Sequence, residues 1–383
     1  MDNFSKHVER VEPSATLRIG ELASELESKG KDVIDLSVGE PDYDTPQHIK
    51  EEAKKGLDQG KTGYTAGTGV PDLREAIAYK FRGENGLDVG RDDVVVTPGA
   101  KMALFETIFC LLNEGDKATL LDPSWVSYQA MIKMAGDEVD RVELDPKTGF
   151  TPGDIDLAQE IDTDTKAVVV NTPCNPTGAV FSEPELREIR DLAVDHDFWV
   201  ISDEIYEKIL YDDATHHSIG AMDGMQDRTV TINGFSKAYA MTGWRLGYLT
   251  APNPLLNEIQ KVQSHSVSCA TNFAQWGGVA AIDGSQEPTQ EMVKTFQERR
   301  NVLVSQLKQH GVEIPEPKGA FYAYVPVNTQ DDTQLCEKVI QEEHVAVTPG
   351  SAFGVPGHVR ISYAKPKDRI KEGIQKISSY LGQ

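Results

Sequence analysis

Lys237 is the residue of this chain best placed for covalent chemistry. It follows the β-branched run 229–232 and a turn carrying Gly234 and Ser236, and Arg245 lies eight residues further on. A lysine in such a turn can condense with a carbonyl group, and small or hydroxyl neighbours with a nearby guanidinium suit a phosphate. Taken alone, such a lysine also reads as a solvated surface charge. Asp203 closes another apolar run, and Tyr206 stands three residues later. If a helix or tight turn opens there, both side chains can face one ligand; a lone carboxylate in that position also reads as a paired structural charge. Asn175 lies in Asn-Pro-Thr-Gly, a turn sequence on any reading. Gly99, Ala100 and Lys101 open a helix directly after a strand, where free backbone N–H groups suit an anion. Trp125 is a loop aromatic able to stack on a flat ring or to serve as core.

These residues need elements to bring them together. Short apolar runs at 94–96, 118–121, 167–170, 198–201, 229–232 and 245–249 alternate with helical stretches such as 101–112. That alternation predicts an α/β sheet covered on both faces. The polar and glycine-bearing residues fall just after the runs, and ligands of open α/β sheets bind beyond the carboxyl ends of strands. One site built from several loops is therefore expected. After about residue 284 the pattern changes. A charged helix at 290–309, an aromatic-rich strand at 319–325, a helix at 331–343 and strands at 345–347 and 359–363 predict a smaller α+β unit. A helix at 17–28, after Pro13 and Ser14, is placed to pack with it.

A chain of 383 residues exceeds the size at which single cores stop growing, so two domains are expected. Acidic residues outnumber basic ones 61 to 38, a net charge of −23. That balance argues against nucleic acid and anionic membranes as partners. It suits either ordinary solubility or residence in concentrated salt, where carboxylate repulsion is screened; the spread of the excess favours salt. Cys110, Cys174, Cys269 and Cys336 form no Cys-x-x-Cys, which fits a reducing cytoplasm and argues against a zinc site. The first residues carry no secretory pattern, and no apolar run is long enough to span a bilayer.

Eight motifs in order bear a resemblance that runs end to end: Val-Gly-Glu-Pro-Asp (38–42), Gly-Tyr-Thr (63–65), Gly-Val-Pro-Asp-Leu-Arg-Glu (69–75), Asn-Pro-Thr-Gly (175–178), Ser-Asp-Glu-Ile-Tyr (202–206), Ser-Lys (236–237), Gly-Trp-Arg (243–245) and Val-Arg-Ile-Ser-Tyr (359–363). The chain resembles the class I/II aminotransferases, fold-type I enzymes that use pyridoxal 5′-phosphate, and most closely their bacterial and archaeal aspartate aminotransferase branch. The resemblance implies a large cofactor-binding domain at 46–283 with a mostly parallel sheet, and a small α+β domain at 284–383 joined by segment 1–45. It implies that Lys237 carries the cofactor and shuttles protons, that Asp203 pairs with the ring nitrogen, and that Tyr206 and Asn175 hold the ring oxygen. Trp125 would stack on the ring. Backbone at Ala100 and Lys101, with Ser236 and Arg245, would hold the phosphate, and Tyr64 would reach the phosphate of a neighbouring subunit in a homodimer with shared sites. Arg360, helped by the Gly39 backbone, would clamp the substrate carboxylate.

The resemblance further implies ping-pong transfer between an amino acid and a 2-oxo acid, with aspartate and 2-oxoglutarate foremost. Lys101 is associated in this branch with the distal carboxylate of acidic substrates; otherwise it is a charge that a helix N-terminus mildly disfavours. Thr16 lies in a segment similar to one that closes over substrate. Glu12 stands where relatives acting on prephenate tend to have lysine, and an anion there would repel a second carboxylate. Aromatic or broad specificity, a C–S or β-lyase of the same fold, and a non-catalytic regulator are the competing expectations.

Overall fold

The apolar runs assemble into a seven-stranded sheet in the order Val94–Thr97, Gly247–Thr250, Thr229–Gly234, Trp199–Asp203, Thr165–Asn171, Lys117–Asp122, Glu138–Glu143. The computed structural model describes residues 4–13, 15–136 and 138–382, with the side chains of Ala15, Thr16 and Asp154 outside that description. Every strand runs the same way except Gly247–Thr250, which is antiparallel to both its neighbours. Every strand of this sheet but Glu138–Glu143 is buried along nearly its whole length, as continuous apolar runs in a sheet covered on both faces should be. Helices such as Ala100–Leu111, Glu183–His196 and Asn253–Ser266 provide the cover.

Two expected strands need correction, and one strand is added. The edge strand Glu138–Glu143 was not foreseen. It is mostly charged and buries only Val142, the composition that protects an edge from unwanted pairing and hides it from a search for apolar runs. The strand expected at 245–249 begins at Gly247, because Arg245 has φ +51 and turns the chain before the sheet. The strand expected at 345–347 is two short ones. Val345–Ala346 pairs with Ile34–Asp35, whereas Thr348–Pro349 joins a three-stranded antiparallel sheet with His358–Ser362 and Tyr322–Pro326.

That pairing ties the N-terminal segment to the C-terminal part of the chain. Ile19, Ile34 and Leu36 share one core with Phe296, Leu303, Val345, Ile361 and Ile370. The same core takes in Ile205, Tyr206 and Ile209, so the turn after Asp203 is packed between the large sheet and the smaller unit. No helix among the described residues is long and apolar enough to cross a membrane.

Candidate active site

A cavity of about 500 Å³ opens at the carboxyl ends of the parallel strands, a size that suits a small organic ligand. Eleven of the thirteen residues singled out from the sequence line it: Gly39, Ala100, Lys101, Trp125, Asn175, Asp203, Tyr206, Ser236, Lys237, Arg245 and Arg360. Tyr64 does not; its side chain is 91% exposed. Ser14 and the side chain of Thr16 lie outside the described residues.

Asp203 ends its strand with the carboxylate buried. Tyr128 Oη donates to Oδ2 at 2.6 Å and the Ile205 amide to Oδ1 at 3.2 Å. Burial pushes the carboxyl up to about 6, against the Tyr128 hydrogen bond. A protonated ring nitrogen set against it would favour the anion. The chain then makes a tight turn, and Tyr206 emerges with its hydroxyl 2.9 Å from that of Tyr322.

A polar network buried beneath this turn was invisible in the sequence. Asn85 Nδ2 donates to Glu204 at 2.8 Å and to Glu207 at 2.7 Å, His216 Nε2 meets Glu204 at 3.0 Å, and Lys80 pairs with Glu207. Burial opposes the charge on Glu207, yet Lys80 holds that carboxyl down at about 2. Paired buried charges of this kind fix a geometry even where they add little net stability.

Lys237 Nζ donates to the Gly39 carbonyl at 2.5 Å. Burial, and next the charge of Arg360, lower the amine to about 8. A lysine near neutrality is suited to nucleophilic and general-base work.

The anion cradle lies alongside. Gly99, at φ +89, caps the helix Ala100–Leu111 without a side chain. Among the described residues, the amides of Ala100 and Lys101 have no protein acceptor. A Cβ on Gly99 would stand 2.5 Å from Arg245 Nη2, so only glycine lets the guanidinium approach this helix end. Arg245 Nη1 donates to Thr242 O at 2.8 Å, and the buried Ser236 lies on the same cavity wall.

Arg360 is only 4% exposed. Its Nη1 donates to Asn175 Oδ1 at 3.0 Å, and its Nη2 donates to Ser37 O at 2.5 Å and to Thr348 Oγ1 at 3.3 Å. Nε has no partner. Tyr322 and Phe353 flank the guanidinium at 4.6 and 5.0 Å. Asn175 also donates its backbone N–H to Asn171 Oδ1 at 2.9 Å, and Asn171 Nδ2 reaches Asp203 O at 2.9 Å. One amide chain therefore links Arg360 to the Asp203 strand.

Elsewhere on the cavity lining, Lys101 Nζ stands 4.8 Å from the Trp125 ring centroid. Burial of its amine, then the charge of Arg245, lower its pKa, although the side chain as a whole is exposed. Sequence reasoning missed Tyr128, Tyr322, Asn171, Asp35 and Ser37 on these walls. Tyr128 had a signal: it sits three residues after Trp125, at helix start spacing.

The family model for aminotransferase class I and II matches residues 31–377. The chain is 40% identical to the aspartate/prephenate aminotransferase of Thermus thermophilus and 38% identical to the aspartate aminotransferase of Pyrococcus abyssi, covering 98% or more of every chain compared. Its fold matches a solved aspartate aminotransferase from Thermus thermophilus with maleate at a TM-score of 0.95, with 39% identity over 99% of this chain and 100% of that one. An aromatic aminotransferase from Pyrococcus horikoshii matches at 0.88, with 38% identity over 93% of this chain and 98% of that one. This chain belongs to the class I and II aminotransferases.

Proposed function

We propose that the cleft binds pyridoxal 5′-phosphate and transfers the amino group of L-aspartate to 2-oxoglutarate in two half-reactions. The observation that carries this is the convergence of Lys237, Asp203, Arg245 and Arg360, four charges from separate strands and turns, on one cavity. The free amides of Ala100 and Lys101, the Arg245 fork and the Ser236 hydroxyl fit a phosphate. Asp203 suits a protonated ring nitrogen, Tyr206 and the Asn175 amide suit the ring oxygen, and Trp125 offers a flat face. When bound, this cofactor supplies an aldehyde that condenses with amines and a ring that withdraws electrons from the amine-bearing carbon. Arg360 grips the substrate α-carboxylate through its fork, and the Gly39 segment closes beside it. The neutral amine of Lys237 takes the proton from the substrate Cα. Asp203, held as an anion, keeps the ring nitrogen protonated. The second substrate, an oxo acid, presents the same α-carboxylate to Arg360, and Lys237 moves the proton in the reverse direction.

Lys101 supports an acidic side chain, and one solved relative is described with maleate, a dicarboxylate. Lys101→Ser is expected to lower kcat/KM for aspartate and glutamate about 10-fold relative to phenylalanine, since one charge-assisted hydrogen bond contributes roughly 1.5–3 kcal/mol. Equal losses for both substrate types would assign Lys101 to the phosphate or the fold. An aromatic second activity is favoured by Trp125 and Leu104 on the cavity wall and by the aromatic aminotransferase among the relatives. The exposed Glu12 counts against prephenate. Steady-state rates across a panel of amino acids, with 2-oxoglutarate as acceptor, test the assignment; absence of turnover with every acidic donor would remove aspartate.

The same reading takes segment 1–45 with 284–383 as a small domain and 46–283 as the large one. It makes the working unit a homodimer, in which the exposed Tyr64 contacts the neighbour's phosphate. The exposed side chains of Tyr79 and Phe109 also support a second copy as partner. Four free cysteines suit a reducing cytoplasm. Two subunits of charge −23 repel each other in dilute buffer, where the Debye length is about 30 Å at 0.01 M, and are screened in molar salt, where it is about 3 Å. Activity and dimer content are therefore expected to fall at low salt and to recover together in molar salt. An intact, active dimer in dilute buffer, seen by sedimentation, would make the acidity a solubility feature only.

A further inference from the structure

Arg360 works under an unusual constraint. It is buried and stacked between rings, and among the described residues it is hydrogen-bonded only to neutral oxygens of Asn175, Ser37 and Thr348. Among the described residues no carboxylate lies within ion-pair distance of it. Between the two half-reactions it has no substrate carboxylate either, yet it must stay charged and correctly aimed. Its shortest hydrogen bond runs to the backbone oxygen of Ser37.

Asp35 holds that segment. Its Oδ1 accepts from the Ser37 backbone N–H at 2.9 Å and from Ser37 Oγ at 2.6 Å. Asp35 itself is anchored by the pairing of Ile34–Asp35 with Val345–Ala346, and it lines the cavity. Two residues beyond Ser37, the Gly39 carbonyl receives Lys237 Nζ. One short segment thus touches both the arginine and the lysine of the site, and a single carboxylate fixes its turn. Burial lowers the pKa of Arg360; Tyr322, then Tyr206 and lastly Asp35 counter this.

We propose that Asp35 is a positioning residue for the carboxylate clamp: it folds the Ser37 turn so that the Ser37 carbonyl holds the Arg360 guanidinium in its carboxylate-binding orientation between half-reactions. The proposal rests on Arg360 being that clamp. Because amino acid and oxo acid share the α-carboxylate, the loss should appear in both half-reactions alike, and in affinity rather than in maximal rate.

The test uses the cofactor-loaded enzyme and three readouts: kcat and KM for each substrate, the cofactor absorbance, and calorimetric binding of succinate as a carboxylate probe. Asp35→Ala removes the acceptor. It is expected to raise both KM values and to weaken succinate about 10-fold, the loss of one to two hydrogen bonds, with kcat and absorbance within about 3-fold and unchanged, respectively. Asp35→Asn keeps an acceptor oxygen for Ser37 and is expected to stay within about 3-fold of wild type throughout. Unaltered KM values and succinate affinity in Asp35→Ala would overturn the proposal, as would a fall in kcat with loss of cofactor absorbance. If Asp35→Ala does not fold, Asp35→Asn decides: a 10-fold or larger loss of succinate affinity there contradicts positioning through the hydrogen bond. Failure of the wild type to transaminate aspartate would remove the substrate assignment and leave the succinate comparison standing as the test of Asp35.

Discussion

Lys237→Ala is expected to abolish repeated turnover. Loss of a general base alone costs about 10²–10⁴-fold, and the covalent attachment that orders the cofactor is lost with it. No other residue on the cavity wall can take over. Lys101 is directed to Trp125, its Nζ 4.8 Å from the ring centroid, and both remaining cations are arginines, which do not deprotonate. The same amine has a pH signature. Only neutral lysine attacks an aldehyde, and Lys237 is lowered to about 8. Capture of the cofactor by cofactor-free enzyme should accelerate as pH rises through about 8 and then level off. Cofactor uptake at a pH-independent rate, or a variant with near-normal steady-state activity, would contradict the role given to Lys237.

Arg360→Lys is expected to weaken amino-acid and oxo-acid binding by about 10–100-fold while leaving cofactor binding close to wild type. The guanidinium makes three hydrogen bonds to Asn175, Ser37 and Thr348, and its Nε has no partner among the described residues. An ammonium has neither the planar fork nor the reach to satisfy those acceptors and a carboxylate together. Each acceptor left unpaired in this buried setting costs about 1–3 kcal/mol. Substrate titrations followed by cofactor absorbance measure both affinities at once. Equal loss of the two would place Arg360 in the cofactor site or the fold instead.

The placement of the charged residues that line the cavity was the legible part of this molecule. Asp203, Lys237 and Ala100 stand within a few residues of the ends of apolar runs, and in a mostly parallel sheet the loops after the strands face the ligand. Arg360 is different: it sits inside a strand and was legible only through the Val-Arg-Ile-Ser-Tyr resemblance. The side chains that tune these groups were hidden because they come from far along the chain. Tyr128 reaches Asp203 across 75 residues, and Tyr322 reaches Tyr206 across 116. The spacing from Trp125 hinted at Tyr128, but nothing local marks Tyr322 as polar partner rather than core. Asp35 and Lys80 were hidden for the opposite reason, since charges in a short strand or in a helix read as surface until burial is known. The strands followed the same division. Buried runs such as Val94–Thr97 declared themselves by composition. Glu138–Glu143 exists through pairing with Lys117–Asp122, not through its own residues.

The central claim is that this one cavity exchanges an amino group between an amino acid and an oxo acid through a cofactor held by Lys237 and Asp203. Half-reaction spectroscopy tests it most directly. Purified, cofactor-loaded enzyme is mixed with aspartate alone, the cofactor absorbance is followed, and 2-oxoglutarate is then added after the amino acid has been removed. The account predicts a stoichiometric shift from the aldehyde to the amine form of the cofactor with aspartate, and full reversal with 2-oxoglutarate accompanied by one equivalent of glutamate. No shift with any amino acid, or release of pyruvate and ammonia in place of a new amino acid, would contradict it.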